Sequence, residues 1–206
     1  MKKKGLQKDD ILDIAMKLFL EKGYGATSTS DICVAAGISK PTLYYYFHNK
    51  RHLFFSCHMK SIEKVLIPYI EKAGAIKDPK ERLAYRIREF TRMICLNPGS
   101  KVFIHETVSM RDKYFEEIRK EWKRHYLLLR HTIQELQTSK KSSSSLEPSR
   151  VPLLLLGMIT WITFWFDYSR QEDVDVIAES TRNLLFYGFF CGKKSRKGYR
   201  NSNPVP

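Results

Sequence analysis

The chain has 206 residues, with 36 Lys and Arg against 22 Asp and Glu, for a formal net charge of +14 at pH 7. That length allows one or two small domains with a substantial core, and the charge favours a polyanionic partner, nucleic acid or an anionic membrane surface, over a cationic one. Cys33, Cys57, Cys95 and Cys191 lie scattered without metal-ligand spacing, which argues against a metal site and fits free thiols in a reducing cytoplasm.

No basic–apolar–small signal segment opens the chain, so a cytoplasmic protein is expected. Lys2, Lys3 and Lys4 form a basic arm that either follows phosphate or hangs as a loose tail. Residues 9–22 predict a helix, because Ile11, Leu12, Ala15, Leu18 and Phe19 recur at three- and four-residue spacing. Gly23 and Gly25 end it. Residues 27–50 then read as two short helices around a tight turn. Thr27 and Ser28 are N-cap residues, and Asp31 completes a capping box with Ser28. Ile32, Ala35 and Ala36 give a short apolar face, and Gly37 supplies a left-handed helix end. Ser39 caps the second helix, with Pro41 in its first turn, where a missing N–H costs little. Leu43 and Phe47 share one face and pack inward. Lys40, Thr42, Tyr44, Tyr45 and Tyr46 spread over the rest. Three consecutive tyrosines fan around a helix at ~100° per residue, so one or two must face solvent or a partner. Phenol hydroxyls beside Lys40 and Lys50 make a surface suited to phosphate and thymine methyls.

This stretch resembles the DNA-binding domain of the TetR family of bacterial transcriptional regulators. Thr27, Asp31, Ile32, Ala36, Gly37, Ile38, Ser39, Leu43, Tyr44, Tyr46, Phe47, Lys50 and Leu53 match that family's pattern without a gap, and Cys33 stands where alanine is usual. The resemblance implies an all-α protein of about nine helices. Its N-terminal three-helix DNA-binding domain, residues 1–54, would carry the helix-turn-helix. A larger helical ligand-binding and dimerisation domain would cover residues 55–192, followed by a basic tail, residues 193–206. It also implies a double-stranded palindromic DNA operator and a small-molecule effector. The expected DNA-binding residues are Thr27, Ser28, Ser39, Lys40, Pro41, Thr42, Tyr44, Tyr45, Tyr46 and Lys50. The recognition helix lacks Arg, Asn and Gln, so DNA shape is expected to share in specificity.

Downstream, Asn49 caps a helix from Lys50 to about Ala73, and Pro68 inside it predicts a kink or break. Further helices are predicted over residues 80–96, 100–110, 112–137, 150–168 and 173–191. Residues 138–149 are polar and of low complexity, and read as a loop. Residues 151–166 are uncharged but shorter than the ~20 residues of a membrane span, so this helix is expected in a core or interface. Being apolar nearly all round, it must be covered on nearly all sides. Together with the last helix, rich in Phe186, Tyr187, Phe189 and Phe190, it predicts a homodimer built as a four-helix bundle. The resemblance implies a pocket among the middle helices, which Phe90, Ile94, Phe103, Trp122, Tyr126, Met158, Thr160, Trp161 and Trp165 are candidates to line; their apolar, aromatic character suits a lipophilic effector, either an aromatic compound or an acyl-CoA, the latter because similar ligand domains bind it. Ordinary core packing is the competing account of each. His105 and Glu106 have no metal partners at useful spacing. No cofactor is implied, and no nucleophile–base pair or phosphate loop points to an enzyme. The leading expectation is a ligand-released repressor; the alternative is a membrane-surface or protein-interaction adaptor using the apolar helix.

Overall fold

The computed structural model describes residues 7–107, 113–139, 147–170 and 173–190, and every regular element among them is helical. The basic arm, the tail, Cys191, Asp112 and most of the polar loop lie outside the described residues, as do the side chains of Phe189 and Phe190. α1 (Lys8–Lys22) buries Ile11, Leu12, Ala15 and Phe19 and stops at Gly23, whose φ of 83° suits glycine. α2 (Thr29–Ala36) and α3 (Lys40–Tyr46) follow. α4 (Lys50–Ser61) continues through a π turn (Ile62–Leu66) into α5 (Ile67–Ala75), making one rod. Then come α6 (Pro79–Leu96), α7 (Gly99–Thr107), α8 (Lys113–Thr138), α9 (Val151–Thr160), α10 (Ile162–Trp165) and α11 (Val174–Phe190). Taking the rod as one helix and α9–α10 as one gives nine among the described residues, as expected.

Two cores are built on the rod. In the first, Ile11, Phe19, Ile32, Leu43, Phe47, Leu53, Phe54 and Cys57 close α1–α4 together, and Phe103 reaches in from α7. In the second, Ile62, Leu66 and Ile70 of the rod meet Leu83, Ile87, Ile118, Ile133, Leu155, Ile159 and Val174. The expected boundary at residues 54 and 55 therefore falls within α4, a helix both cores share. Lys60 fastens the rod to α1, its Nζ 2.7 Å from Asp13 Oδ1 and 3.0 Å from Asp9 O.

The expected disturbance near Pro68 is present, and its form is the π turn. Pro68 has no N–H for Lys64 O, and its ring would crowd that carbonyl in a regular α-helix. Widening the preceding turn, with Ile67 N–H bonded to Ile62 O, relieves both problems without stopping the helix. The apolar helix expected over residues 150–168 is instead two pieces broken at Trp161. Thr163 Oγ1 donates to Thr160 O at 2.8 Å, taking an acceptor the helix ladder would use. Nor is this segment covered on nearly all sides within the chain. Leu155, Ile159, Ile162 and Phe166 face the core, while Leu153, Leu154, Met158, Trp161, Phe164 and Trp165 are exposed.

Candidate nucleic-acid interface and adjoining cavity

The two helices of the interface are closed by their own caps. Ser28 Oγ accepts from Asp31 N–H at 3.1 Å, and the Asp31 carboxylate accepts the Ser28 N–H at 2.8 Å. The Ser28 hydroxyl and backbone bonds hold the Asp31 carboxyl below its usual range, so the cap is charged at neutral pH. Gly37 turns left-handed at φ 64°, and Ile38 N–H closes back on Cys33 O at 3.0 Å. Ser39 Oγ then accepts from Thr42 N–H at 3.3 Å, with Pro41 in the first turn of α3. Asn49 Oδ1 caps α4 through His52 N–H at 2.8 Å. Leu43 and Phe47 are buried against α1 and α2, which fixes the rotation of α3. Its outer face consequently presents Lys40, Pro41, Thr42, Tyr44 and Tyr45, with Tyr45 82% exposed. Ser28 and Ser39 are exposed beside it. Tyr46 is half-buried on the first core, its ring between those of Tyr45 and Phe47.

Two expected contact residues sit differently. Thr27 has no exposed surface, and its hydroxyl lies 2.8 Å from Gly23 O and 3.2 Å from Leu18 O. It ties the turn after α1 to that helix and does not reach the outer face. Lys50 is folded back, Nζ donating to Gly25 O at 3.2 Å and lying 4.3 Å from the Tyr24 ring centre. Burial lowers its ammonium pKa, against the opposing pull of Glu106 and Asp31. The inward face of α2 also differs from expectation, since Ile32 and Cys33 are buried and Ala35 is exposed. Sequence reasoning missed Val34, 82% exposed on α2. It also missed a ring column at the end of α3, where His48 stacks on His52 and His52 on Tyr114. Tyr114 is far away in the chain, so no local spacing signals this column.

A small cavity of about 30 Å³, partly open to solvent, lies where the two cores meet. The π turn gives it Ile62, Val65 and Leu66, while His58, Ile94, Phe103 and Trp122 close other sides. Of the nine pocket candidates, Ile94, Phe103 and Trp122 line it. Phe90 is buried behind Trp122, ring centres 6.2 Å apart. Tyr126 donates to Ser149 O, and Thr160 to Gly157 O. Met158, Trp161 and Trp165 are on the outer face of α9–α10, so they do not line it. The cavity also holds a histidine that spacing did not mark. His58 stacks on Phe103 at 4.4 Å and pairs with Thr107 Oγ1 at 3.3 Å. Burial pushes its pKa down to about 3, so the ring is neutral. His105 is satisfied by Thr163 Oγ1 at 3.1 Å and stacks on Phe164. Burial pushes the Cys57 thiol up to about 12 and Cys95 to about 11, which makes both poor nucleophiles. Among the described residues no group of His, Cys, Asp and Glu could hold a metal ion, and no helix is long and apolar enough to cross a membrane.

Comparison with known proteins joins both halves. Residues 11–57 match the family model for bacterial regulatory proteins of the tetR family, and residues 77–189 match that for the tetracyclin repressor-like C-terminal domain. The HTH-type transcriptional repressor ComR of Escherichia coli strain K12 is 38% identical over a stretch covering 32% of this chain and 40% of ComR. The match thus spans about two-fifths of that relative's length. The structure of the TetR family transcriptional regulator PfmR from Thermus thermophilus superposes with a TM-score of 0.77 at 27% identity, covering 88% of this chain and 96% of PfmR. That of the transcriptional regulator FadR from Bacillus subtilis, in complex with stearoyl-CoA, superposes at 0.75 with 21% identity, covering 89% and 100%.

Proposed function

The chain belongs to the TetR family of bacterial transcriptional regulators, and from that premise we propose that it is a cytoplasmic repressor that binds a palindromic operator as a dimer and leaves it when a small lipophilic effector binds. The observation that carries the DNA reading is the outer face of α3. Buried Leu43 and Phe47 rotate Lys40, Thr42, Tyr44 and Tyr45 outward together. Ser28 and Ser39 flank them with hydroxyls suited to phosphate. One such helix reads few base pairs, and two of them about one DNA turn apart (~34 Å) double the contacts. Binding of the purified protein to its own upstream intergenic duplex, against a scrambled duplex and across a salt series, tests this. Selective binding with a steep salt slope is the expected result; equal weak binding to both would sink it.

The dimer face is supported by two exposed apolar stripes. Leu154, Met158, Trp161 and Trp165 recur at helical spacing along α9–α10, and Val176, Leu184 and Tyr187 along α11. Large exposed apolar side chains in such number are expected to be covered by a partner. Replacing Trp161 with Glu is expected to yield a monomer by light scattering and to weaken operator binding, with the helical content unchanged. The adaptor reading would gain only if the protein partitioned to anionic vesicles without binding DNA.

The effector reading rests on the cavity. It touches α4, which carries the DNA-binding core at one end, and α7, whose Phe103 belongs to that core. A molecule that expands the cavity pushes directly on the DNA-binding helices, biasing one geometry over another. FadR, of the same fold, holds stearoyl-CoA, and the apolar lining here suits an acyl or aromatic group.

A further inference from the structure

The second core contains a positive charge with no carboxylate beside it among the described residues. Arg86, on α6, is 2% exposed, and its Nε and Nη1 have no hydrogen-bond partner. No carboxylate among the described residues pairs with it; Arg82, one turn earlier, takes Glu135, and Arg88 and Arg92 take acids on α6 and α11. Around Arg86 the polar atoms are arranged but incomplete. Tyr69 of α5 donates its hydroxyl proton to Arg86 O at 3.1 Å, and its oxygen is also hydrogen-bonded by the Arg86 side chain, which leaves Nε and Nη1 unsatisfied. His125 Nε2 lies 3.3 Å from that same Tyr69 hydroxyl oxygen, whose proton is already committed, so Nε2 carries a proton and donates it there. That leaves His125 Nδ1 buried and also without a partner. Buried guanidinium groups are otherwise paired with anions or hydrogen-bonded throughout. Here the unpartnered atoms cluster at one place, between α5, α6 and α8.

That place is in line with the cavity. Arg86, Phe90 and Ile94 succeed each other at four-residue spacing, so they share one face of α6. Ile94 lines the cavity, about 12 Å along the helix from Arg86. Phe90 stands between them in the helix, its ring against His125 at 4.9 Å and against Trp122 at 6.2 Å. Trp122 is itself a cavity wall. Rotation of Phe90 and Trp122 would extend the apolar cavity to a buried cation.

We propose that Arg86 is the anchor for the carboxylate of an apolar effector, a medium- or long-chain carboxylic acid that enters through the cavity with its charged end innermost. The inference deepens the effector reading above and rests on it. A carboxylate supplies the negative charge and the acceptor oxygens that Arg86 Nε and Nη1 lack, and the chain behind it, once the rings have turned and opened the space, lies against Ile62, Leu66, Ile94 and Phe103. The orientation differs from that of a thioester whose bulky polar head must stay outside.

Calorimetry on the full-length protein with decanoic acid, decan-1-ol and decanoyl-CoA tests it, because acid and alcohol share the chain and differ in the anion. Decanoate is expected to bind roughly tenfold to a hundredfold tighter than decanol. Arg86→Met should erase that difference while keeping operator affinity. Its unfolding midpoint should be no lower than that of the unsubstituted protein, since it removes an unneutralised charge; a merely structural arginine would lower the midpoint. Equal binding of acid and alcohol, or an acid preference that survives in Arg86→Met, overturns the proposal. So does tight decanoyl-CoA binding that Arg86→Met leaves unchanged with decanoate inactive. The acid–alcohol comparison needs no variant and no operator, so loss of operator binding would defeat the repressor reading separately.

Discussion

The Thr27 hydroxyl, fully buried between Gly23 O and Leu18 O, braces the turn before α2 and has no exposed surface to offer a partner. Thr27→Val keeps the shape and removes the hydrogen bond, so it is expected to cost about 1 kcal/mol of stability, measured by urea unfolding. Operator affinity per folded molecule should stay the same. Lys40 is the opposite case, exposed at the start of α3 with an ammonium free to reach a guanine edge. Lys40→Ala is expected to relax base preference at one position in each half-site, by roughly 1–3 kcal/mol of discrimination. A panel of single-base operator variants checks this; an unchanged ranking would remove Lys40 from the readout. Thr27 matches the family pattern, Lys40 stands inside it at a position the pattern leaves open, and burial separates the two.

Among the elements, backbone conformation decides two glycines in opposite directions. Gly37 is left-handed at φ 64°, where any Cβ is strained, so Gly37→Ala should lower stability by roughly 1–2 kcal/mol and disturb the turn. Gly74 lies inside α5 with nothing within 4 Å of a Cβ placed there. Gly74→Ala should therefore raise stability by roughly 0.5–1 kcal/mol. Thermal unfolding of the two variants should move in opposite directions. The rod α4–α5 shows how a local constraint acquires a use. Pro68 forces a π turn, and three residues of that turn face the cavity. The break at Trp161 is comparable, since it lets α9–α10 keep one face on the core while turning its large rings outward.

At the scale of the whole molecule, two neutral histidines set a pH dependence. Burial pushes both His58 and His125 down to about 3 from the ordinary 6.5, with the Arg86 charge pushing the second in the same direction. Between those values the unfolded chain binds protons that the folded chain does not, so stability is full above about pH 6.5 and falls as pH drops. With two such groups the slope approaches roughly 2–3 kcal/mol per pH unit. Chemical unfolding at pH 7.5 and 5.5, a window above the carboxylate range, should show a lower midpoint at 5.5. His125→Gln should reduce the difference, and a flat profile would mean that the rings are accessible when folded.

Much of this was legible in the chain itself. Ser28 with Asp31, Gly37, Ser39 with Pro41, and Asn49 predicted their caps because a cap is a contact between residues three or four apart, with its geometry set by the backbone between them. The same holds for the inward pair Leu43 and Phe47, and for the number and order of the helices. The cavity was legible only in part. Ile94, Phe103 and Trp122 were foreseen as large apolar residues, but Met158, Trp161 and Trp165 have the same chemistry and lie on the outer face. Periodicity cannot orient a helix that is apolar all round; the packing of Leu155 and Ile159 on the second core does. His58, His125 and Arg86 carry no local signal at all, because what distinguishes them is burial among helices distant in sequence. Local hydrogen bonds and side-chain spacing thus made the helix-turn-helix readable from residues 27–50 alone, whereas the cavity, the outward stripe and the buried cation exist only where separate helices meet.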